Sequence, residues 1–229
     1  MSDQCFRPLQ GIAIRSTLLD ACGVPVIGDT STVVSESFVK FNATPQIEDP
    51  DEFTVKTANG RLCLSEIGCP TLKRMNLSVD VCRADPRQFE MMGGASIVLD
   101  GDGNAVGYRV TEDFGGCPAY AIEIWSRIPV EECGVEGTQE WVYFLFPYVT
   151  NGRLGDVTIE NGPVSFTLAG ETKSTVGWGV GPYNVIEDGG DPSPLLTPMV
   201  AGDHYHVQKT TLAPPTETCG ATALAALGS

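Results

Sequence analysis

Apolar and polar residues alternate along much of this chain in the two-residue rhythm of a β-strand, whose successive side chains point to opposite faces. Met75, Leu77, Val79 and Val81 alternate with Arg74, Asn76, Ser78 and Asp80. Tyr120, Ile122 and Ile124 alternate with Ala121, Glu123 and Trp125, and Val164, Phe166 and Leu168 with Ser165 and Thr167. Such strands suit a wall with one apolar and one polar face. Trp141-Val142-Tyr143-Phe144-Leu145-Phe146 differs: it is apolar on both faces and reads as a central, covered strand.

Punctuation between these runs predicts the remaining elements. Residues 11–41 hold two or three strands, broken by the turns at Gly23–Pro25 and Gly28. Between 48 and 66 an acid cluster, Glu48-Asp49-Pro50-Asp51-Glu52, leads into Phe53-Thr54-Val55-Lys56, then Asn59-Gly60, then Leu62-Cys63-Leu64. Asn-Gly between short strands signals a hairpin. Its high charge and small apolar mass predict that it projects from the body. Residues 85–93 read as a short helix, with Asp85 as cap, Pro86 at the first position, Gly93 as stop, and Phe89 and Met92 on the buried side. A hairpin follows, turning at Asp102-Gly103-Asn104. Long strands are expected at 118–130 and 141–149, and two more at 156–160 and 163–169, joined at Asn161-Gly162. After Gly177-Trp178-Gly179-Val180-Gly181-Pro182-Tyr183 the chain becomes loop-rich. This organisation is one all-β domain over 1–212, followed by a loosely held C-terminal arm over 213–229.

Composition narrows the function. The chain has 229 residues, with 29 acids against 14 bases and a formal charge of −15. Wrapping nucleic acid needs Lys and Arg, so this balance disfavours it, and it would also be repelled by an anionic membrane. An acidic wall would instead let DNA pass without adhering. No apolar run approaches the ~20 residues of a membrane span. The opening MSDQCFRPLQGIAIRS lacks the apolar core of a secretion signal, so synthesis and retention in a cytoplasm are expected. Under that expectation the eight cysteines read as reduced thiols, with Cys63–Cys69 the local pair best placed if any disulfide forms.

The residues that carry chemistry are sparse. Asp100-Gly101-Asp102-Gly103-Asn104 resembles the start of a calcium loop, but position 12 is Thr111 and strands flank it, so a hairpin turn is expected. Asp203, His204 and His206 are a thin metal set with no convincing further ligand. The cysteines show no paired C-x2-C spacing. No nucleophile elbow, zinc-protease helix, phosphate loop or dinucleotide fingerprint occurs. Glu131-Glu132 and the 48–52 cluster read as solvated acids. The reading is therefore a non-enzyme that requires no metal or cofactor.

Several segments together resemble the major tail proteins of long-tailed, non-contractile phages infecting actinobacteria. They are Leu18-Leu19-Asp20-Ala21-Cys22-Gly23, Asn59-Gly60-Arg61-Leu62-Cys63, Cys82-Arg83-Ala84-Asp85-Pro86, Gly177 to Val185, and the Pro214-Pro215 tail. The likeness spans nearly the full chain. It implies a β-sandwich or barrel subunit with a flanking helix. Six copies would close a ring with a continuous inner β-barrel, and rings would stack into a tail tube in the virion. The implied partners are other copies of the chain, a tape measure protein, the tail terminator and distal tail proteins, and DNA passing through the lumen without specific binding.

Within that picture the 48–66 hairpin is expected to touch the next ring through Phe53, Val55 and Leu62. Glu36 and Asp80, each read as lying on the polar face of a strand, are the expected lumen-facing acids. Two other classes remain at this stage. One is a β-sandwich binding module for carbohydrate or protein, with Trp125 and Trp178 as its platform. The other is a hydrolase with two facing carboxylates.

Overall fold

Strands form where the alternation predicts them, and turn residues separate them. A computed structural model describes residues 5, 7–112, 118–129, 139–159, 161 and 164–225. It is mostly strand (55%), with one short helix and antiparallel sheets in a sandwich-like arrangement. The strands are β1 (Gln10–Leu18), β2 (Gly28–Ser35), β3 (Phe38–Glu48), β4 (Glu52–Lys56), β5 (Leu62–Ile67) and β6 (Thr71–Val81). Helix α1 (Pro86–Gly93) follows, then β7 (Ser96–Leu99), β8 (Ala105–Arg109), β9 (Tyr120–Arg127), β10 (Trp141–Thr158) and β11 (Ser165–Thr172). Short strands β12 (Ile186–Asp188), β13 (Asp191–Ser193), β14 (His206–Thr210) and β15 (Thr222–Leu224) complete the set.

The main sheet runs β15-β2-β1-β9-β10-β11-β6-β3, with β14 also on β10. The 18-residue β10 organises it. Its first half pairs with β9 and β14, and its second half with β11. What reads in sequence as separate strands at 141–149 and 156–160 is thus one strand through residue 158, continued across two register shifts and Gly152. A Cβ at Gly152 would lie 2.1 Å from the Met92 carbonyl oxygen, so only glycine lets β10 pass beneath the end of α1. The linking residues 160, 162 and 163 lie outside the described set.

This shared strand folds the sheet over itself. Ile14, Val33, Ile122 and Phe146 from the front layer pack with Leu77, Val79, Val81 and Leu168 from the back layer in one core. Phe41 and Phe146 meet across the layers, ring centroids 5.1 Å apart. Helix α1 seals this core with Phe89 and Met92. Asp85 caps it by accepting the Arg87 N–H, as expected. The stop is Gly94 rather than Gly93, because Gly94 takes the left-handed φ of 65° that closes a helix.

A second core lies on the opposite face of the front layer. Trp125, Tyr143 and Leu145 are covered there by Tyr183, Val185, Leu195 and Met199 from the loop-rich segment. Strand β9 is therefore buried on both faces and not half-exposed as its alternation suggests. The loops supply a layer that periodicity does not reveal. The C-terminal arm also departs from expectation. β15 adds to the edge of β2, Leu224 is buried, and the Gly220 N–H is bonded to Asp85 at 2.7 Å, so the segment is tied down through residue 224.

Candidate functional site

Two surfaces stand out once the layers are assembled. The first is the projecting hairpin. β3 and β6 pair from Phe38↔Val81 out to Glu48↔Thr71, and β4 and β5 continue beyond them. Every residue of β4 and β5 is exposed. The tip is held by the Gly60 N–H on the Thr57 carbonyl (2.8 Å) and by the Arg61 N–H on the Thr57 hydroxyl (3.1 Å), with Gly60 at φ 82°. The expected hairpin is present, and it is the end of a longer ribbon that starts within β3.

Register sorts the arm's side chains. Val55 lies opposite Leu64, Phe53 is two residues from Val55, and Leu62 two from Leu64. Strand geometry puts Phe53, Val55 and Leu64 on one face with Glu66, which lies opposite Phe53, while Glu52, Thr54, Ser65 and Ile67 take the other; a register shift after Val55 places Leu62 opposite Lys56. Phe53 is 62% and Leu62 63% exposed. A two-stranded hairpin has too little burial to be stable on its own in water, and here no residue of either strand is buried. The charge and turn pattern locates Phe53, Val55 and Leu62; Leu64 was missed, although its i+2 spacing from Leu62 was available in the sequence.

The second surface is the outer face of β3, β6, β11 and the second half of β10. Side chains cross-link it strand to strand. The Asn42 amide donates to Ser78 Oγ (3.4 Å) and the Thr167 hydroxyl to Asp80 Oδ1 (2.7 Å). Glu171 accepts from Asn151 Nδ2 (3.1 Å) and pairs with Arg74 (3.4 Å) and Arg153 (3.9 Å). Asp80 therefore lies on an uncovered polar sheet face, as its alternation implies. Glu36 does not: it sits in the bend between β2 and β3, where the chain has left the strand, and its N–H is bonded to Glu217 Oε1 at 3.2 Å. The polar face is not an acidic field. Lys40, Arg74 and Arg153 share it with Asp80 and Glu171, whereas Glu48, Asp49, Asp51 and Glu52 lie along the arm. β3 forms the outer edge of this sheet and leaves one side of its backbone unpaired within the sheet.

The residues weighed for chemistry are placed less suggestively. Asp100 accepts the N–H groups of Asp102 (2.9 Å) and Asn104 (2.8 Å) in the β7–β8 turn, and the Asn104 hydrogen bonds hold its pKa below the ordinary value. His204 is buried at 8% exposure, with Nδ1 2.8 Å from the Thr172 hydroxyl, while His206 Nε2 meets Gln208 Oε1 at 3.0 Å. Asp203 accepts the Val200 N–H. Among the described residues no three His, Cys, Asp or Glu side chains are grouped to hold a metal. Cys63 and Cys69 are both free and exposed. Cys63 lies in the extended β5, where four strand steps carry the chain about 13 Å by Ile67, which works against the proposed local disulfide. Glu131, Glu132, Cys117 and Cys133 lie outside the described residues.

Trp125 is 1% exposed and belongs to the core, while Trp178 is half-buried and packs edge-on against Tyr183, so the two rings do not form one exposed platform. The carboxylate on the same face as Trp125 is structural. Glu123 is fully buried and lies opposite Arg15 in the β1–β9 register. Its oxygens accept from Arg15 Nε (2.5 Å), Arg15 Nη2 (2.6 Å) and the Tyr143 hydroxyl (2.9 Å). Burial, reinforced by the Glu123 charge, raises the Tyr143 pKa well above its ordinary value. The guanidinium lies between the rings of Trp125 and Tyr183, 5.4 Å from each centroid. Sequence reasoning missed this pair. Its only signal was Arg15 following Ile14 in β1 and Glu123 set between Ile122 and Ile124 in β9.

No protein-family model matches this chain, and no curated protein matches it. Among the described residues no helix is long and apolar enough to cross a membrane.

Proposed function

We propose that this chain is a structural subunit that closes into rings and stacks them into a tube, as in the tail tube of a long-tailed phage. The observation that carries the reading is the arm: a β-ribbon whose apolar side chains, Phe53, Val55, Leu62 and Leu64, all lie in exposed positions on its own subunit. Uncovered apolar side chains on a projecting element are costly to keep in solution and gain most by docking on a neighbour. The β3 edge supports lateral closure, since its unpaired backbone groups can extend a sheet from copy to copy.

In this reading the polar face of β3, β6, β11 and β10 lines the lumen. Its cations and anions neutralise one another locally, so passing DNA meets no one-sign field to bind it. The function is mechanical and electrostatic, with DNA, a tape measure protein, and terminator and distal tail proteins as partners of the assembled tube. Electron microscopy of the purified protein is the test. Rings or tubes are the expected result. Monomers at every concentration, together with absence from any virion, would refute the proposal.

A further inference from the structure

A groove of about 540 Å³ opens between the two layers, at the end of the sandwich away from α1. Its walls include Phe38, Phe41, Phe144, Phe146 and Tyr205, with Val39 and Lys40 at the lip. Tyr205 stacks on Phe146 with centroids 4.9 Å apart, so the wall is a built aromatic surface. No described residue fills it. The subunit therefore displays an uncovered apolar ridge and an uncovered apolar recess.

We propose that the groove is the receptor for the arm of a second copy, with Phe53, Val55, Leu62 and Leu64 seated against the aromatic wall. This rests on the tube reading only in taking a second copy as the partner. Three observations favour that occupant. Strand β3 carries both features, with the groove at Phe38–Ala43 and the arm beyond Glu48, so extended backbone holds the ridge away from its own recess. Charge agrees in balance: Lys40 stands at the lip, and the arm carries Glu48, Asp49, Asp51, Glu52 and Glu66 against Lys56 and Arg61. The chemistry also matches, since the arm offers Phe53, Val55 and Leu64 from one face, and Leu62 beyond the register shift, to an aromatic-lined slot.

The contact is head-to-tail. Ridge and recess are different surfaces, so each docked copy presents a free ridge and the assembly propagates. The spacing between them sets the axial step. From Phe41 to Val55 is 14 residues of nearly continuous ribbon, which spans roughly 35–45 Å at strand rise. Successive layers should repeat at about that distance.

The test is a photo-crosslink. Phe53 is replaced by benzoylphenylalanine, which the exposed site tolerates, and equal amounts of light- and nitrogen-15-labelled protein are assembled and irradiated. The expected products join position 53 of one copy to residues 38–43 or Tyr205 of another, with mixed isotopes. Crosslinks to a different surface in well-formed tubes would overturn the groove assignment and leave the tube reading standing. Crosslinks only within one copy would overturn it as well. Monomers without crosslinks would remove both. In parallel, Val39→Glu changes an exposed lip residue and should leave melting unchanged, while raising the concentration needed for tubes by about tenfold, the loss of one good apolar contact. Tubes forming at the wild-type concentration would also overturn the proposal.

Discussion

The buried pair Arg15–Glu123 offers a sharp test of how the two layers of loop and sheet are held. Replacing Glu123 with Gln keeps the shape and an acceptor for Tyr143, but removes the counter-charge of Arg15, which is 7% exposed. A buried charge stripped of its partner costs about 3–5 kcal/mol. Domains of this kind are stable by about 5–15 kcal/mol in total, so the loss is a large share. At about 2–4 °C per kcal/mol for a chain of this size, Tm should fall by about 6–20 °C. Urea unfolding followed by tryptophan fluorescence, with reductant to protect the exposed thiols, reads the change. Trp125 reports locally, because the Arg15 guanidinium is 5.4 Å from its ring. The double variant Arg15→Met, Glu123→Gln removes both charges, keeps an acceptor for the buried Tyr143 hydroxyl, and should recover to within about 1–2 kcal/mol of wild type. The reasoning is refuted if Glu123→Gln stays within about 1 kcal/mol of wild type, or if the double variant loses as much as its two single variants combined.

Other outcomes follow from the same structure. Burial lowers the His204 pKa, against the opposing charge of Asp203, so the folded protein binds fewer protons than the unfolded chain, whose His titrates near ~6.5. Stability from this group is therefore present above that pH and lost as pH falls below it; His204→Gln should blunt the drop in urea midpoint between pH 7.5 and 5.5, and an unchanged drop would reject the assignment. Leu224 plugs the second core from the tail, so Leu224→Ala should cost about 2–3 kcal/mol in the same urea assay, whereas a loosely held arm would cost nothing. Deleting 50–64 removes a part of the ribbon whose two strands are exposed at every residue, so melting should change by less than about 1 kcal/mol while stacking is abolished; long tubes from the deleted protein would show that the arm is not the stacking element.

Much of the strand content, the Asp85-capped helix, the β7–β8 turn and the exposed 48–66 hairpin are legible in the sequence, because each depends on residues close together in the chain. Alternation, a cap, an Asn-Gly turn and a charged segment are local signals. The sequence also places Asp80 on a polar face and names Phe53, Val55 and Leu62 as unburied apolar residues. It cannot say that β9 is buried on both faces, because its second cover arrives from Tyr183, Val185, Leu195 and Met199, more than fifty residues away. It cannot join Arg15 to Glu123, nor dock Leu224 beside β2, since both contacts depend on which strands become neighbours. Glu36 reads like a strand residue until pairing shows where β2 ends. Local pattern sets the period of an element. Only the closed fold, which weighs every face against every other for burial, decides what lies opposite it and which faces are left bare.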